Sequence, residues 1–438
     1  IVNNANELEK KLSSKSEQFA ENYERKKITW RTIQAFLQPG EAAVEIIRFR
    51  YREKDWTDTI YYAALIITEQ TIEHPDIIVL DNGKELETKY FYLYRNNIRS
   101  NIQDNESFNN YWSKIFEKMK DIKKVYLSPD GVYNKINPAT FMKPEGKYLL
   151  EVQEIQILNS TKEIVTNFYK SPQETKMLNS AELFGNPKFE TGKQNKLELA
   201  KNYLAKREYD EPFMSRDSLR GYRIIDLPGT AIEVENIENF LKSKSWVVNT
   251  YLGESSVKAA VKSVNDPRVL HIATHGFFLS DFADEQENMF GFESKRFVEN
   301  PLLRSGLLFS GAGNFINDKV AISYDEDNGI LSAYEAMNLD LDHTELVVLS
   351  ACETGLGVIQ NGEGVYGLQR AFQTAGAKTV LMSLWKVGDQ PTKELMTMFY
   401  FNWVSGMTKR EAFKEAQLEL KKKYEDPYYW GAFVLVGE

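Results

Sequence analysis

The stretch 347-VVLSACETGLG-357 holds the only cysteine in a chain of 438 residues. Apolar residues lead into small Ser350 and Ala351, Cys352 follows, and polar residues and glycines come next. This order is typical of a buried strand that ends at a loop, because a sheet covered on both faces needs nearly continuous apolar strands. A cysteine at such a position is either a small core residue or a reactive thiol.

Short apolar strands and amphipathic helices alternate on both sides of this stretch, from about residue 176 to the end. That alternation predicts an α/β fold with a mostly parallel sheet flanked by helices over 176–438. Residues 205–221 and 280–297 interrupt the pattern, and we expect them to be surface insertions. The predicted strands are 181–185, 246–251, 268–274, 346–351, 378–384 and 432–436, and the predicted helices are 231–243, 255–263, 364–375, 391–405 and 408–424.

The earlier part of the chain is also mixed α/β but less regular. Residues 41–175 are expected to form an N-terminal α/β half, with strands at 43–51, 60–68, 77–80 and 124–128, a helix at 106–120 and a hairpin-type turn at 81-DNG-83. Residues 1–40 are expected to be a helical segment. Within it, 5–27 carries Leu8, Leu12 and Phe19 along one side, and a second short helix covers 29–37.

The composition excludes several classes of protein. The chain is 42% apolar and 13% aromatic, which is enough for a large buried core. Its net charge of −9 argues against a nucleic-acid-binding surface. No apolar run is long enough to predict a membrane-spanning helix. A single cysteine forms no internal disulfide, which favours a reducing compartment and a cytoplasmic location.

A histidine at the end of one predicted strand pairs naturally with the cysteine at the end of another. The chain has only four histidines, and His275 directly follows the strand 268–274. A free thiol is only slightly ionised at neutral pH, so a nucleophilic cysteine needs a neighbouring base such as imidazole. Gly276 adds a backbone N–H with no Cβ beside it, and the N–H of Cys352 is a natural second donor to an oxyanion.

Other chemistry is compatible with some of the same residues. His271 and His275 project from the same face of a strand, and with Cys352 they would supply three zinc ligands, although His271 lies inside the apolar run and is as readily a core histidine. His74 and His343 fall in predicted turns and are expected at the surface. The glycines of 355–364 do not form a phosphate loop, because Glu363 stands where the lysine is required.

Several segments resemble the CHAT domains, which are caspase-like, separase-related cysteine proteases. They are 271-HIATHG-276, 347-VVLSACETG-355, 362-GEGVYGLQRAFQTAGAKTVLMSLWKVGDQPT-392 and 430-WGAFVLVG-437, with weaker pieces at 127–141 and 184–187. The resemblance implies peptide-bond hydrolysis through an acyl-enzyme, with no cofactor and no metal. It implies Cys352 as nucleophile, His275 as general base and acid, and an oxyanion hole from the N–H groups of Gly276 and Cys352.

The resemblance also bears on the organisation and partners of the chain. Relatives often carry a non-catalytic caspase-like half before the catalytic one, a role that residues 41–175 would fill. Residues 1–40 would be the end of a helical-repeat region, through which a regulatory protein could bind. We expect protein substrates and a role in bacterial signalling or defence, with 280–297 as an activation or autocleavage segment. The alternative is a scaffold or effector-binding module without turnover.

A preference for cleavage after a basic residue would require an acidic pocket. Asp389 is the first candidate, with Glu353 and Glu363 behind it. The alternative for Asp389 is a role as N-cap of the helix that begins near Pro391. Trp385 either packs near the site entrance or fills core.

Overall fold

A single eleven-stranded sheet runs through the computed structural model and contains strands from both predicted halves of the chain. Its strand order is β3-β2-β1-β4-β5-β18-β17-β14-β8-β6-β7, and most neighbouring pairs are parallel. The predicted mixed α/β architecture with a mostly parallel sheet is therefore confirmed. The structure describes residues 28–169, 178–190, 224–278, 288–289, 292–293, 301–317, 328–351, 358–360 and 364–437. In these ranges no helix is both long and apolar enough to cross a membrane.

The strands of the main sheet lie close to their predicted positions, with β5 as the one that the sequence did not indicate. They are β1 (Glu41–Arg52), β2 (Trp56–Thr68), β3 (Asp76–Leu80), β4 (Lys124–Ser128), β5 (Glu154–Ile157), β6 (Ser180–Pro187), β7 (Val247–Gly253), β8 (Val269–Ala273), β14 (Leu346–Leu349), β17 (Thr379–Ser383) and β18 (Phe433–Gly437).

Three short ladders outside the main sheet were not predicted. Strands β9 (His275–Phe278), β12 (Ser305–Leu308) and β13 (Ile330–Ser332) form a small antiparallel sheet in the order β13-β12-β9. The other two are the pairs β10 (Asn288–Met289) with β11 (Phe292–Glu293), and β15 (Val358–Gln360) with β16 (Gly364–Tyr366).

Helices of very different length cover the sheet. The α-helices are α1 (Trp30–Gln34), α2 (Gly83–Glu85), α3 (Phe91–Arg99), α4 (Ser113–Glu117), α5 (Leu149–Val152), α6 (Glu163–Tyr169), α7 (Pro228–Ser243), α8 (Lys258–Lys262), α9 (Ala312–Asn317), α10 (Ala333–Ala336), α11 (Leu368–Thr374), α12 (Asp389–Val404), α13 (Lys409–Lys423) and α14 (Pro427–Trp430). Leu86–Tyr90 and Phe108–Trp112 are π-helical, and Gly131–Lys135, Pro138–Thr140 and Pro301–Leu303 are 3-10 turns.

Three local predictions are wrong. The 81-DNG-83 segment is not a hairpin turn, because helix α2 begins at Gly83, where an added Cβ would lie 2.4 Å from the carbonyl oxygen of Ile60. Gly83 is needed because the chain packs closely against Ile60 here, and not because the chain makes a hairpin turn. The helix predicted over 106–120 is divided between a π-helical turn and α4. The helix predicted from residue 364 begins at Leu368, because 364–366 pair as β16.

The last strand of the chain joins the two predicted halves. Strand β18 pairs antiparallel with β17 over five residues and parallel with β5 at Val436 and Ile157. The main hydrophobic core continues across this junction, with residues of both halves in one cluster. Residues 41–175 and 176–438 thus share a single sheet. The helix predicted at 5–27 and the insertion 205–221 lie outside the described residues, as does most of 280–297.

Candidate active site

The register between two neighbouring strands pairs the residues that lie three positions before His275 and Cys352 in the sequence. Strands β8 and β14 are parallel neighbours, and Ile272 pairs with Leu349. His275 is three residues beyond Ile272, and Cys352 is three residues beyond Leu349. Cys352 lies outside the described residues, but the chain is described up to Ala351, immediately before it. Both segments therefore leave the sheet at the same carboxyl edge, as parallel strands require.

Hydrogen bonds from both adjacent strands hold the residues that lead to Cys352. The N–H of Ser350 donates to the carbonyl oxygen of Ile272 in β8 at 2.9 Å. The hydroxyl of Ser383 in β17 donates to the carbonyl oxygen of Ala351. Ser350 and Ala351 are each 6% exposed, and Ser350 Oγ has no hydrogen-bond partner within the described ranges. Hydrogen bonds from the backbone of β8 and from a side chain of β17 thus fix the two residues before the cysteine.

His275 begins strand β9 and is almost completely buried. Its side chain is 8% exposed, and its ring lies 5.2 Å from that of Phe189, centroid to centroid. The Nε2 atom lies 2.8 Å from the carbonyl oxygen of Ile225. A carbonyl oxygen only accepts, so Nε2 carries the hydrogen in this contact. In the neutral ring Nδ1 then carries the lone pair, which is the arrangement that a general base needs.

An ion pair connects the two segments of the chain that contact the imidazole of His275. Phe189 belongs to the segment after β6 and Ile225 to the segment that leads into α7. Lys188 Nζ lies 3.3 Å from Asp226 Oδ2, which joins these two segments. Phe189 and Ile225, the two residues that contact His275, therefore lie in segments that this ion pair holds together.

Gly276 is the second residue of β9 and is paired with Leu307 of β12. The sequence predicted a strand that ran out at His275 and Gly276, whereas β8 ends at Ala273 and a second strand begins at His275. The role of the Gly276 N–H as an oxyanion donor stays a prediction.

Asp389 lies at the N-terminus of a helix, beside the segment that contacts His275. It is the first residue of α12, whose N-cap is Gly388, so Asp389 is not the N-cap itself. A Cβ added to Gly229, in the first turn of α7, would lie 2.4 Å from Asp389 Oδ2. The carboxylate thus packs against the amino end of α7, where the helix dipole favours a negative charge. Glu353 and Glu363, the other two pocket candidates, lie outside the described residues.

His271 belongs to the core. It is completely buried, with Nε2 3.0 Å from Glu233 Oε1 and Nδ1 3.2 Å from the hydroxyl of Tyr400. Burial, followed by the charge of Glu233, raises the pKa of the Tyr400 hydroxyl well above its usual range, so this hydroxyl stays protonated and donates to Nδ1. Because both ring nitrogens are engaged, the three-ligand zinc hypothesis lacks its first ligand. Within the described ranges no group of three His, Cys, Asp or Glu side chains is arranged to hold a metal ion.

The remaining candidates lie away from the site or within the core. Trp385 is 2% exposed, donates from Nε1 to the carbonyl oxygen of Tyr428 at 3.0 Å and packs edge-on against Tyr94, so it fills core. His74 and His343 are exposed, as predicted, and His343 pairs with Asp266.

Residues 105–438 match the CHAT domain family. The chain belongs to this family. The match begins inside the N-terminal half, so this CHAT domain includes strands on both sides of the β5–β18 junction.

Two curated relatives are similar to a small part of this CHAT domain. Tetratricopeptide repeat protein 28 of Homo sapiens is 33% identical over 110 residues, and the Mus musculus protein of the same name is 32% identical over 110 residues. Each match covers 25% of this chain and 4% of the relative.

Two solved structures have a low similarity to the CHAT chain. One is the Arg-specific cysteine proteinase gingipain R, with a TM-score of 0.39 and 10% identity over 78% of this chain and 69% of that chain. The other is separase in the Saccharomyces cerevisiae separase–securin complex, with a TM-score of 0.37 and 12% identity over 82% of this chain and 19% of that chain. Similarity at this level does not bear on individual residues of the site.

Three contributors to this CHAT site were not found from sequence. They are the carbonyl of Ile225, the ring of Phe189 and the close approach of Asp389 to Gly229. The only available signal was 228-PG-229, since proline is common at the first position of a helix and marks the start of α7. A backbone carbonyl is common to all residues, so no residue type could have identified Ile225.

Proposed function

We propose that this CHAT chain is a cysteine endopeptidase that uses a dyad of Cys352 and His275. The observation that carries the proposal is the contact between His275 Nε2 and the carbonyl oxygen of Ile225, because it leaves Nδ1 as the basic nitrogen. The equivalent positions of His275 and Cys352 after paired Ile272 and Leu349 support it.

The proposed reaction needs only these two side chains and backbone donors. His275 Nδ1 takes the proton of the Cys352 thiol, and the thiolate attacks the carbonyl carbon of the peptide bond. The N–H groups of Gly276 and Cys352 stabilise the oxyanion. The protonated imidazole then gives its proton to the leaving amine, and an acyl-enzyme remains. Water, deprotonated by His275, attacks the thioester and releases the second product.

We infer a preference for cleavage after arginine or lysine, with Asp389 as the acidic group. Its carboxylate lies at the amino end of α7, at Gly229, four residues after the Ile225 that contacts His275. The helix N-terminus favours the negative charge, and the carboxylate attracts a cationic side chain. Glu353 and Glu363 are the alternative acidic residues.

We also propose protein substrates, a cytoplasmic location and a role in signalling or defence. A regulatory protein would bind through a helical-repeat region that ends within residues 1–40, in keeping with the relatives named as tetratricopeptide repeat proteins, which share 110 residues with this chain. Segment 280–297 would be the activation or autocleavage segment.

The decisive experiment measures alkylation of the thiol, because the chain has a single cysteine. Iodoacetamide should modify Cys352 faster than it modifies a free cysteine in a peptide at pH 7, and His275→Ala should remove the difference. His343→Ala is the matched control, since His343 is exposed and lies at the surface. Alkylation at the rate of the free peptide in both the native protein and His275→Ala would contradict the dyad.

A peptide library then separates turnover from a binding-only role. Cleavage after arginine and lysine, lost in Cys352→Ala, is the expected result. Rapid alkylation without cleavage of any peptide or protein would instead favour the scaffold or effector-binding module.

A further inference from the structure

A small cleft, with a cavity volume of about 50 Å³ and open to solvent, lies at the junction between the two halves. It forms where β5 and β18 separate, since these strands share only the pair Ile157 and Val436. Residues of β5 line one side, and helix α13 lines another. The cleft is thus bounded by both halves of the chain.

An incompletely satisfied arginine lines this cleft. The guanidinium of Arg410 donates to the carbonyl oxygens of Leu435 and Gly437 at the end of β18. Its Nε atom is buried and has no hydrogen-bond partner among the residues that the structure describes. Burial lowers the pKa of Arg410 to about 10, against the opposing charge of Glu154. Arg410 is half-buried as a whole, and a half-buried cation without a paired carboxylate is unfavourable, so an anion in the cleft would compensate it.

Three further side chains give the cleft its chemical character. Lys414 is one helical turn after Arg410 on α13, and both line the cleft. The only acidic side chain in the lining is Glu154, which lies 3.9 Å from Lys124 Nζ and is partly neutralised by it. The side chain of Gln153 is buried at 1% exposure and donates from Nε2 to the carbonyl oxygen of Ile122. In the described part of the chain no group donates to its Oε1 atom.

We propose that this cleft binds a small oxyanion that also carries a hydroxyl group, either a phosphate or a hydroxycarboxylate. Arg410 and Lys414 attract the negative charge, and Gln153 Oε1 accepts a hydrogen bond from the hydroxyl. Sulfate and acetate lack this hydroxyl at neutral pH and are disfavoured. Because the lining comes from β5 and α13, the bound anion stabilises the junction of the two halves. This site is independent of the dyad.

Anion binding is measured on the full chain by thermal unfolding and calorimetric titration at constant ionic strength. Inorganic phosphate and glycolate are each compared with a counterpart of similar shape that lacks the hydroxyl, sulfate and acetate respectively, with chloride as the baseline. We expect a saturable rise in Tm for at least one hydroxyl-bearing anion and a smaller one for its counterpart. Which of the two anions binds distinguishes a phosphate from a carboxylate ligand.

Lys414→Ala tests the site without altering the contacts that Arg410 makes with β18. Removal of one charged partner should weaken binding about tenfold. Lys422→Ala is the matched control on the same helix, because Lys422 is 70% exposed and pairs with Glu419. No saturable response to any of the four anions, or an equal response in Lys414→Ala, overturns the proposal. Equal affinity for each anion and its counterpart overturns the role of Gln153.

Discussion

The Nε2 atom of His275 lies 2.8 Å from the carbonyl oxygen of Ile225, a residue fifty positions earlier in the chain. This contact determines which ring nitrogen carries the hydrogen, because the carbonyl oxygen cannot donate. It also orients the imidazole from the side opposite Nδ1. The preceding segment is held by the ion pair of Asp226 with Lys188.

Replacement of Phe189 is expected to affect both stability and the histidine. Phe189 is completely buried, and its ring lies against that of His275. Phe189→Ala should reduce the free energy of unfolding by about 3–5 kcal/mol through the cavity it creates, and Phe189→Leu by less. In Phe189→Leu the alkylation rate of Cys352 should also decrease, because His275 loses a packing surface. Phe401→Ala, at an exposed position, is the control in urea unfolding.

Gly229→Ala should move Asp389 without changing its charge. The added Cβ would lie 2.4 Å from Asp389 Oδ2 and 2.7 Å from Asp389 Cβ, so the whole side chain has to shift, together with the first residue of α12. We expect KM for arginine peptides to rise and the free energy of unfolding to fall, because the contact between α7 and α12 is overpacked. Gly388→Ala is the control, because its added Cβ would be 3.7 Å from its nearest neighbour. If Asp389→Asn leaves cleavage after arginine unchanged, the acidic-pocket proposal fails, whatever the effect of Gly229→Ala.

Tyr400→Phe tests the buried contacts of His271. Without the hydroxyl, Nδ1 of His271 is left unsatisfied in a completely buried site. We expect the free energy of unfolding to fall by about 1–3 kcal/mol in urea unfolding. Tyr334→Phe, where the ring is 47% exposed, should change it by less than about 0.5 kcal/mol. Equal effects of the two substitutions would argue against a structural role for the Tyr400 hydroxyl.

Asn137→Ala should weaken the junction between the two halves. Asn137 is 4% exposed, donates from Nδ2 to the carbonyl oxygen of Gly431 at 2.8 Å, and accepts from the N–H of Ala139. The loss should be about 1–3 kcal/mol, measured by chemical denaturation. Asn96→Ala, at an exposed position of α3, is the control. We expect one unfolding transition for the native protein, because both halves share a sheet and a core; two separate transitions would contradict this.

Asp426→Asn should stabilise the protein at neutral pH. Half-burial raises the pKa of Asp426, although its carboxylate accepts from the N–H of Tyr428 as the N-cap of α14. The folded state then binds the proton more tightly than the unfolded state, so stability decreases as pH rises through this titration. Asparagine keeps the accepting oxygen without the charge.

The pH dependence distinguishes this effect from a general change in stability. The difference in Tm between Asp426→Asn and the native protein should be largest near pH 7 and vanish below about pH 3, where the carboxyl is protonated in both states. Asp58→Asn, with a side chain 88% exposed, should show little difference at any pH. A gain that does not vary with pH would exclude the charge of Asp426 as its cause.

Where apolar periodicity is strong, the sequence was sufficient. Apart from the short helix α14, which was not predicted, the strands and helices of 228–274 and 379–437 lie within a few residues of their predicted bounds, because each buries a continuous apolar run or face. The failures occurred where glycines and short pairings decide the conformation. Gly83 is required by the nearby carbonyl of Ile60, and β9 forms only because β12 supplies a partner. Neither is visible in local sequence.

The sequence by itself determined the α/β class, the strands that lead to His275 and Cys352, and the family to which the chain belongs. These follow from side-chain chemistry and its order along the chain. Only the tertiary structure decided the single sheet across both halves, the carbonyl of Ile225 on His275, the core position of His271 and the approach of Asp389 to Gly229. These depend on backbone atoms and on distances between remote segments. All residues share the same backbone atoms, so the sequence does not distinguish them. Folding alone determines which backbone atoms come into contact with a given side chain.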